Sequence, residues 1–125
     1  MSLILHLTPA QHLHSLPPDA PYLSLDFERE GFIHCTQRAD TLLRVANRFY
    51  RDAPGDFVAL VVDDGKLSAP IQWAPGTLDG ESLLFPHIHG PIDRAAIVGV
   101  VPVRRNSDGE FVGFEEAPDD WERSP

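Results

Sequence analysis

Cysteine is nearly missing: Cys35 stands alone in 125 residues, so no internal disulfide can form. No apolar run approaches membrane-spanning length, and no charged-then-apolar leader opens the chain. These absences lead to the expectation of a soluble, cytoplasmic protein with no membrane partner. Basic residues are few. Lys and Arg total 10 against 19 Asp and Glu, a formal charge of −9, and much of the acid falls in "DGEFVGFEEAPDDWERSP". A field of that sign repels polyphosphate over the whole surface, which excludes broad nucleic-acid binding. It leaves room for a small anionic ligand in a locally basic pocket. Neither a G-x-G-x-x-G nor a P-loop pattern occurs; Gly31 and Gly90 mark tight turns instead.

What is present fits one globular domain over 1–125. The hydrophobic content of 42% is enough for one core, expected over residues 2–113, with an acidic tail at 114–125. The 12 Pro and 9 Gly are spread as punctuation, with no repeat or low-complexity block, so the elements between them are short. "LILHLT" reads as a first strand ending near His6. "PAQHLHSL" reads as a short helix with Pro9 at its first position and Thr8 as cap. A Pro-rich connection ends in an acidic turn, "DFERE", before a five-residue strand "GFIHC". Thr36 then caps the helix "QRADTLLRVANRFY", whose apolar face is Leu42, Val45, Ala46 and Phe49. In the second half, "DFVALVVD", "PIQWA", "LLFPHIH" and "AAIVGVVPV" are β-branched or aromatic runs between Gly, Pro and Asp turns, and "SDG" folds the last segment back. Helices first and strands after point to an α+β domain with a mostly antiparallel, split or strongly bent sheet.

Histidine is the anomaly. Of six, His6, His34, His87 and His89 sit in apolar strand-like runs, while His12 and His14 fall on a presumed helix surface. In "FPHIHGP" the His87 and His89 side chains share one face if the segment is extended. Each imidazole has a bland reading as a partly buried or surface group with a hydrogen-bonded neighbour. A metal site built on the H-x-H pair with His6, His34 and Cys35 is the second reading, since imidazole suits zinc, nickel or iron, but His34 and Cys35 diverge on a strand and no Asp or Glu stands at facial-triad spacing beside the H-x-H pair. The same divergence speaks against a Cys-His nucleophile, and Cys35 reads as a small packed hydrophobe.

"EGFIHCTQ", "VANRFY", "VALVVDDGKL", "IQWAP", "FPHIHGPI" and "AAIVGVVPV", in that order, resemble the small bacterial family known as domain of unknown function 952. The resemblance runs over most of the chain, from Leu3 to Phe111. That family is similar in fold to the ADP-ribosyltransferases, nearest the RNA 2′-phosphotransferase branch, which implies an ADP-ribosyltransferase-like bent or split sheet and a cleft that takes NAD or an ADP-ribosyl or phosphoribosyl ligand. The implied catalytic residues are His6, on the first motif; His34, on the second; and Glu81, the acid before the third. Glu81 stands four residues before Phe85, farther from "FPH" than the family's usual position. Phe32, Thr36, Phe85, His87 and His89 are the implied ligand-binding residues, with NAD as candidate substrate and no metal or other cofactor assigned.

The chemistry makes those residue types intelligible. Breaking a nicotinamide–ribose bond develops an oxocarbenium-like ribose, which calls for hydrogen bonds to ribose hydroxyls, an aromatic wall and a carboxylate near the cation. His6 and His34 suit the diol, because neutral imidazole both donates and accepts. Phe32, Phe85 or Trp73 can supply the wall. The alternatives stay open: a transferase-like enzyme, or a catalytically silent domain binding a small ligand or metal through its histidines. Arg44, Arg48 and Arg51 read as a solvated helical stripe, and Trp73 and Trp121 as packing residues.

Overall fold

A computed structural model of the protein describes residues 2–115, so most of the expected acidic tail, with Trp121, lies outside the described residues. The chain runs β1 (Leu3–Pro9), α1 (Ala10–Ser15), α2 (Phe27–Glu30), β2 (Ile33–His34), α3 (Ala39–Phe49), β3 (Phe57–Asp63), β4 (Ile71–Leu78), β5 (Glu81–Ile88), β6 (Ile97–Arg105) and β7 (Phe111–Phe114). Every strand pairing is antiparallel, in a four-stranded sheet of order β1-β3-β6-β7 and a three-stranded sheet of order β2-β5-β4. The expected α+β class and split antiparallel sheet are what the chain adopts.

The core is built around β3, the one strand in "FVALVVD" buried at all seven positions. A strand apolar on both faces must be covered on both. Ala59 and Val61 pack with Leu42 and Ala46 of α3, while Val58, Leu60 and Val62 pack with Ile4, Tyr22, Ile33 and Ile88. Helix α3 therefore lies on one face of the larger sheet and the smaller sheet closes over the other.

Several boundaries move for identifiable reasons. Strand β4 runs on to Leu78 because Asp79 and Gly80 both take positive φ, 52° and 81°, the geometry of a two-residue hairpin that puts Leu78 opposite Glu81. The "SDG" turn does fold β7 back on β6, with Gly109 at φ 86°. Strand β2 shrinks to two residues because Gly31, at φ 80°, is spent closing α2. Neither expected threonine cap forms. Thr8 is paired with Val58 inside β1, leaving Pro9 at the N-cap of α1, and Thr36 bonds to Leu5, so α3 starts after Arg38 with no side-chain cap. On α3 only half the expected apolar face is core: Leu42 and Ala46 are buried, whereas Phe49 is 65% exposed.

Leu60 and Val100 are directly paired across β3 and β6, yet Leu60 is fully buried and Val100 is 47% exposed. Leu60→Ala is expected to cost about 3 kcal/mol of stability and Val100→Ala under about 1 kcal/mol, as read by urea unfolding. Equal losses at both positions would contradict this placement of the core.

Candidate functional site

Residues 33–36 leave one sheet and join the other. Ile33 and His34 pair with Ile88 and His87 of β5, and the Cys35 N–H donates to the Pro86 carbonyl at 3.1 Å. One residue later Thr36 exchanges two hydrogen bonds with Leu5 of β1, each 2.7 Å. Beside this crossing lies a cleft of about 860 Å³. It is lined by Leu5 to Thr8 of β1, by Val45 and Phe49 of α3, and by Pro75, Gly76 and Phe85 of the β4–β5 hairpin. Asp26, Arg29 and Glu30 of the α2 region line it too, with His34, Thr36 and His87. Thr36 is 4% exposed, and its Oγ1 is the buried side-chain polar atom without a hydrogen-bond partner among the described residues.

His6 and His34 do meet, but not as two free imidazoles. The His6 ring lies 2.7 Å through Nδ1 from the His34 carbonyl oxygen and 2.8 Å through Nε2 from the Tyr22 hydroxyl. A carbonyl only accepts, so Nδ1 carries the proton. Burial, the dominant cause, pushes the His6 pKa down to about 4 against the smaller opposing pull of the His34 carbonyl, so the ring is neutral and Nε2 accepts from Tyr22. Thr8 hydrogen-bonds Tyr22 in turn, and burial raises the Tyr22 phenol far above its ordinary value. Both His6 nitrogens are thus committed, and what His6 holds is the backbone of His34.

His34 itself is open, with a side chain 56% exposed and Nε2 3.6 Å from Glu30 Oε1. Its ring meets the edge of Phe32 at 4.6 Å and of His87 at 5.2 Å between centroids. Phe32 stacks on His87 at 4.1 Å and lies 5.5 Å from His89, so the expected shared face of His87 and His89 forms around Phe32. Burial first, then the neighbouring His34 and His89, keeps His87 below the usual histidine range. Of this group His34 and His87 line the cleft; Phe32 and His89 back it from outside. Among the described residues no three His, Cys, Asp or Glu side chains gather as metal ligands. Cys35 is buried, its Sγ 3.9 Å from the Ile33 carbonyl, and burial drives its thiol pKa up, which suits packing and not nucleophilic attack.

Phe85 lines the cleft, its ring passing over Gly76, where an added Cβ would stand 2.9 Å from it. Glu81 is placed elsewhere. It sits at the far end of β5 from His87, and its Oε1 accepts from Arg44 Nη1 at 2.9 Å, so it pins the hairpin to α3 and does not line the cleft. Trp73 is also absent from the lining, on the edge strand β4. His14 is exposed, as expected of a helix surface, whereas His12 is half-buried, donating to the Leu23 carbonyl at 2.7 Å and meeting the Tyr22 ring edge-on at 5.7 Å. The residues that sequence reasoning missed are Glu30, the carboxylate beside His34, and Tyr22, the partner of His6. A carboxylate four positions before His34 in "EREGFIH" was a visible signal for Glu30, whereas Tyr22 lies in a Pro-rich connection with no periodicity to mark it.

A family model described as "Protein of unknown function (DUF952)" matches residues 7–100. The fold is also that of the crystal structure of protein CC0527 from Caulobacter crescentus, at TM-score 0.73 and 19% identity over 89% of this chain and 94% of that one. A double mutant of CC0527 superimposes equally well, at TM-score 0.73 and 18% identity with the same coverage. No curated protein matches the chain. Among the described residues no helix is long and apolar enough to cross a membrane.

The depressed His6 pKa makes stability depend on pH with a definite sign. Above pH 6.5 the ring is neutral in folded and unfolded chains alike; between 6.5 and about 4 only the unfolded chain takes the proton. Stability is therefore whole above that window and falls with falling pH across it, by about 3 kcal/mol in all. Urea midpoints measured through the window are expected to show this loss, and His6→Gln to flatten it. An unchanged pH dependence in the variant would contradict the buried neutral ring.

Proposed function

The chain belongs to the DUF952 family, and on that footing we propose that its cleft binds NAD or an ADP-ribosyl or phosphoribosyl ligand, in the manner of an ADP-ribosyltransferase-like protein. Thr36 carries the proposal. A buried hydroxyl without a protein partner costs about 1–3 kcal/mol unless water or a ligand completes it, and this one stands in the wall of the cleft. It stands two residues from the open His34, in a cleft between two antiparallel sheets, and a ribose offers the matching hydroxyls.

The roles redistribute over the structure. His34 is the imidazole free to bond a ribose hydroxyl, and His6 is a positioning residue that holds the His34 backbone. Glu30, 3.6 Å from His34, takes the place first considered for Glu81 as the carboxylate near a developing oxocarbenium charge. Phe85 supplies an apolar wall for the departing ring. In turnover the C1′–N bond breaks with its electron pair leaving on nicotinamide, and an acceptor oxygen bonds C1′ and gives its proton to solvent. A binding role without turnover is the second reading, favoured by the commitment of His6 and Glu81 to internal bonds.

Calorimetric titration with NAD and ADP-ribose tests binding. Thr36→Val is expected to raise the stability of the free protein by about 1 kcal/mol while weakening ligand binding about tenfold, a pairing that a purely structural threonine would not show. If the protein turns over NAD, His34→Ala slows nicotinamide release about a hundredfold and His14→Ala leaves it intact. No binding of either ligand at millimolar concentration, or a Thr36→Val variant of unchanged affinity, overturns the proposal.

A further inference from the structure

We infer, on the ribosyl reading above, that the cleft selects the nucleoside part of its ligand, a ribose carrying a flat neutral or cationic ring, and gives phosphate no anchor. Among the described residues lining the cleft, Arg29 is the one Lys or Arg. Its Nη2 lies 3.4 Å from Asp26 Oδ1 and 3.6 Å from Glu30 Oε1, so a phosphate reaching it meets two carboxylates already in place. On α3, Arg44 is held by Glu81 at 2.9 Å and by the Leu78 carbonyl at 3.2 Å, and Arg48, which does not line the cleft, has its guanidinium over the Phe49 ring at 5.8 Å. The formal charge of −9 opposes a polyanion at longer range as well.

The remaining lining suits a flat ring. Phe49 and Leu25, 65% and 64% exposed, line the cleft together with Val45 and Phe85. Large apolar side chains left open in a concavity mark the surface a ligand covers. A pyridinium ring attached to ribose combines the needed features: a flat apolar face for these side chains, a positive charge for Asp26 and Glu30, and hydroxyls for Thr36 and His34. The same charge pattern that repels phosphate attracts this cation.

The test compares nicotinamide riboside, nicotinamide mononucleotide, NAD, ADP-ribose and inorganic pyrophosphate by calorimetry at low salt. The riboside is expected to bind at least as tightly as the mononucleotide, ADP-ribose about tenfold more weakly, and pyrophosphate not to compete. Glu30→Gln should cost the riboside about tenfold, the effect of one charge at contact distance, and improve binding of the mononucleotide. Its fold is checked by circular dichroism, and Asp26→Asn serves as the second variant if it misfolds. Any gain in affinity from the added phosphate, or competition by pyrophosphate, overturns the inference while leaving the ribosyl reading in place. Failure of every ribosyl compound to bind overturns both.

Discussion

Two hydrogen bonds of 2.7 Å between Leu5 and Thr36 join the first strand to the segment that has just left the other sheet. A strand pairs at full strength with one neighbour on each side, so a stretch that changes partners within four residues forces its two sheets to diverge. The cleft is the space that divergence leaves. With Gly31 closing α2 on one side, that crossing limits β2 to two residues and truncates its pairing with β5. Side chains alternate along the crossing, which sends Ile33 and Cys35 into the core and leaves His34 outside it.

The crossing is held from behind by a buried polar chain, Thr8 to Tyr22 to His6 to the His34 carbonyl. Each group in it would be costly alone in the core, and each is satisfied by the next, which makes the arrangement all-or-none. The imidazole is suited to the junction because one nitrogen donates to a carbonyl while the other accepts from a phenol, something no lysine or carboxylate can do at one position. Rigidity at the back and openness at the front are therefore the same feature seen from two sides. Both His6 ring nitrogens are used in holding the His34 backbone and the Tyr22 hydroxyl.

Much of this was legible in the residues. Apolar, β-branched or aromatic runs between turn residues marked β1, β3, β5 and β6, and the β6–β7 hairpin was announced by "SDG", because these patterns arise from local burial and turn sterics. The hairpin between β4 and β5 went unread, although Asp79-Gly80 carries a turn signal, and "PIQWA" understated its strand. What could not be read was long-range. Both threonine caps failed because Thr8 and Thr36 are claimed by strands distant in sequence, and cap propensity is weak against a ladder of backbone hydrogen bonds. Glu81 stood in the motif order as the implied acid, but the hairpin carries it to Arg44, while Glu30, from the acidic turn, stands beside His34 across the turn at Gly31. Phe49 followed helical periodicity onto the apolar face, yet that face is wider than the sheet beneath it, and the surplus lines the cleft.

The division of labour between a locked His6 and an open His34 is tested most directly by long-range nitrogen–proton correlation NMR of the imidazoles, recorded during titration with nicotinamide riboside. His6 should show the neutral tautomer with its proton on Nδ1 before and after ligand, while the His34 ring and the Thr36 amide move with saturation. A His6 ring that titrates near neutral pH or shifts with ligand, or ligand-induced changes confined to surfaces away from residues 33–36, would contradict it.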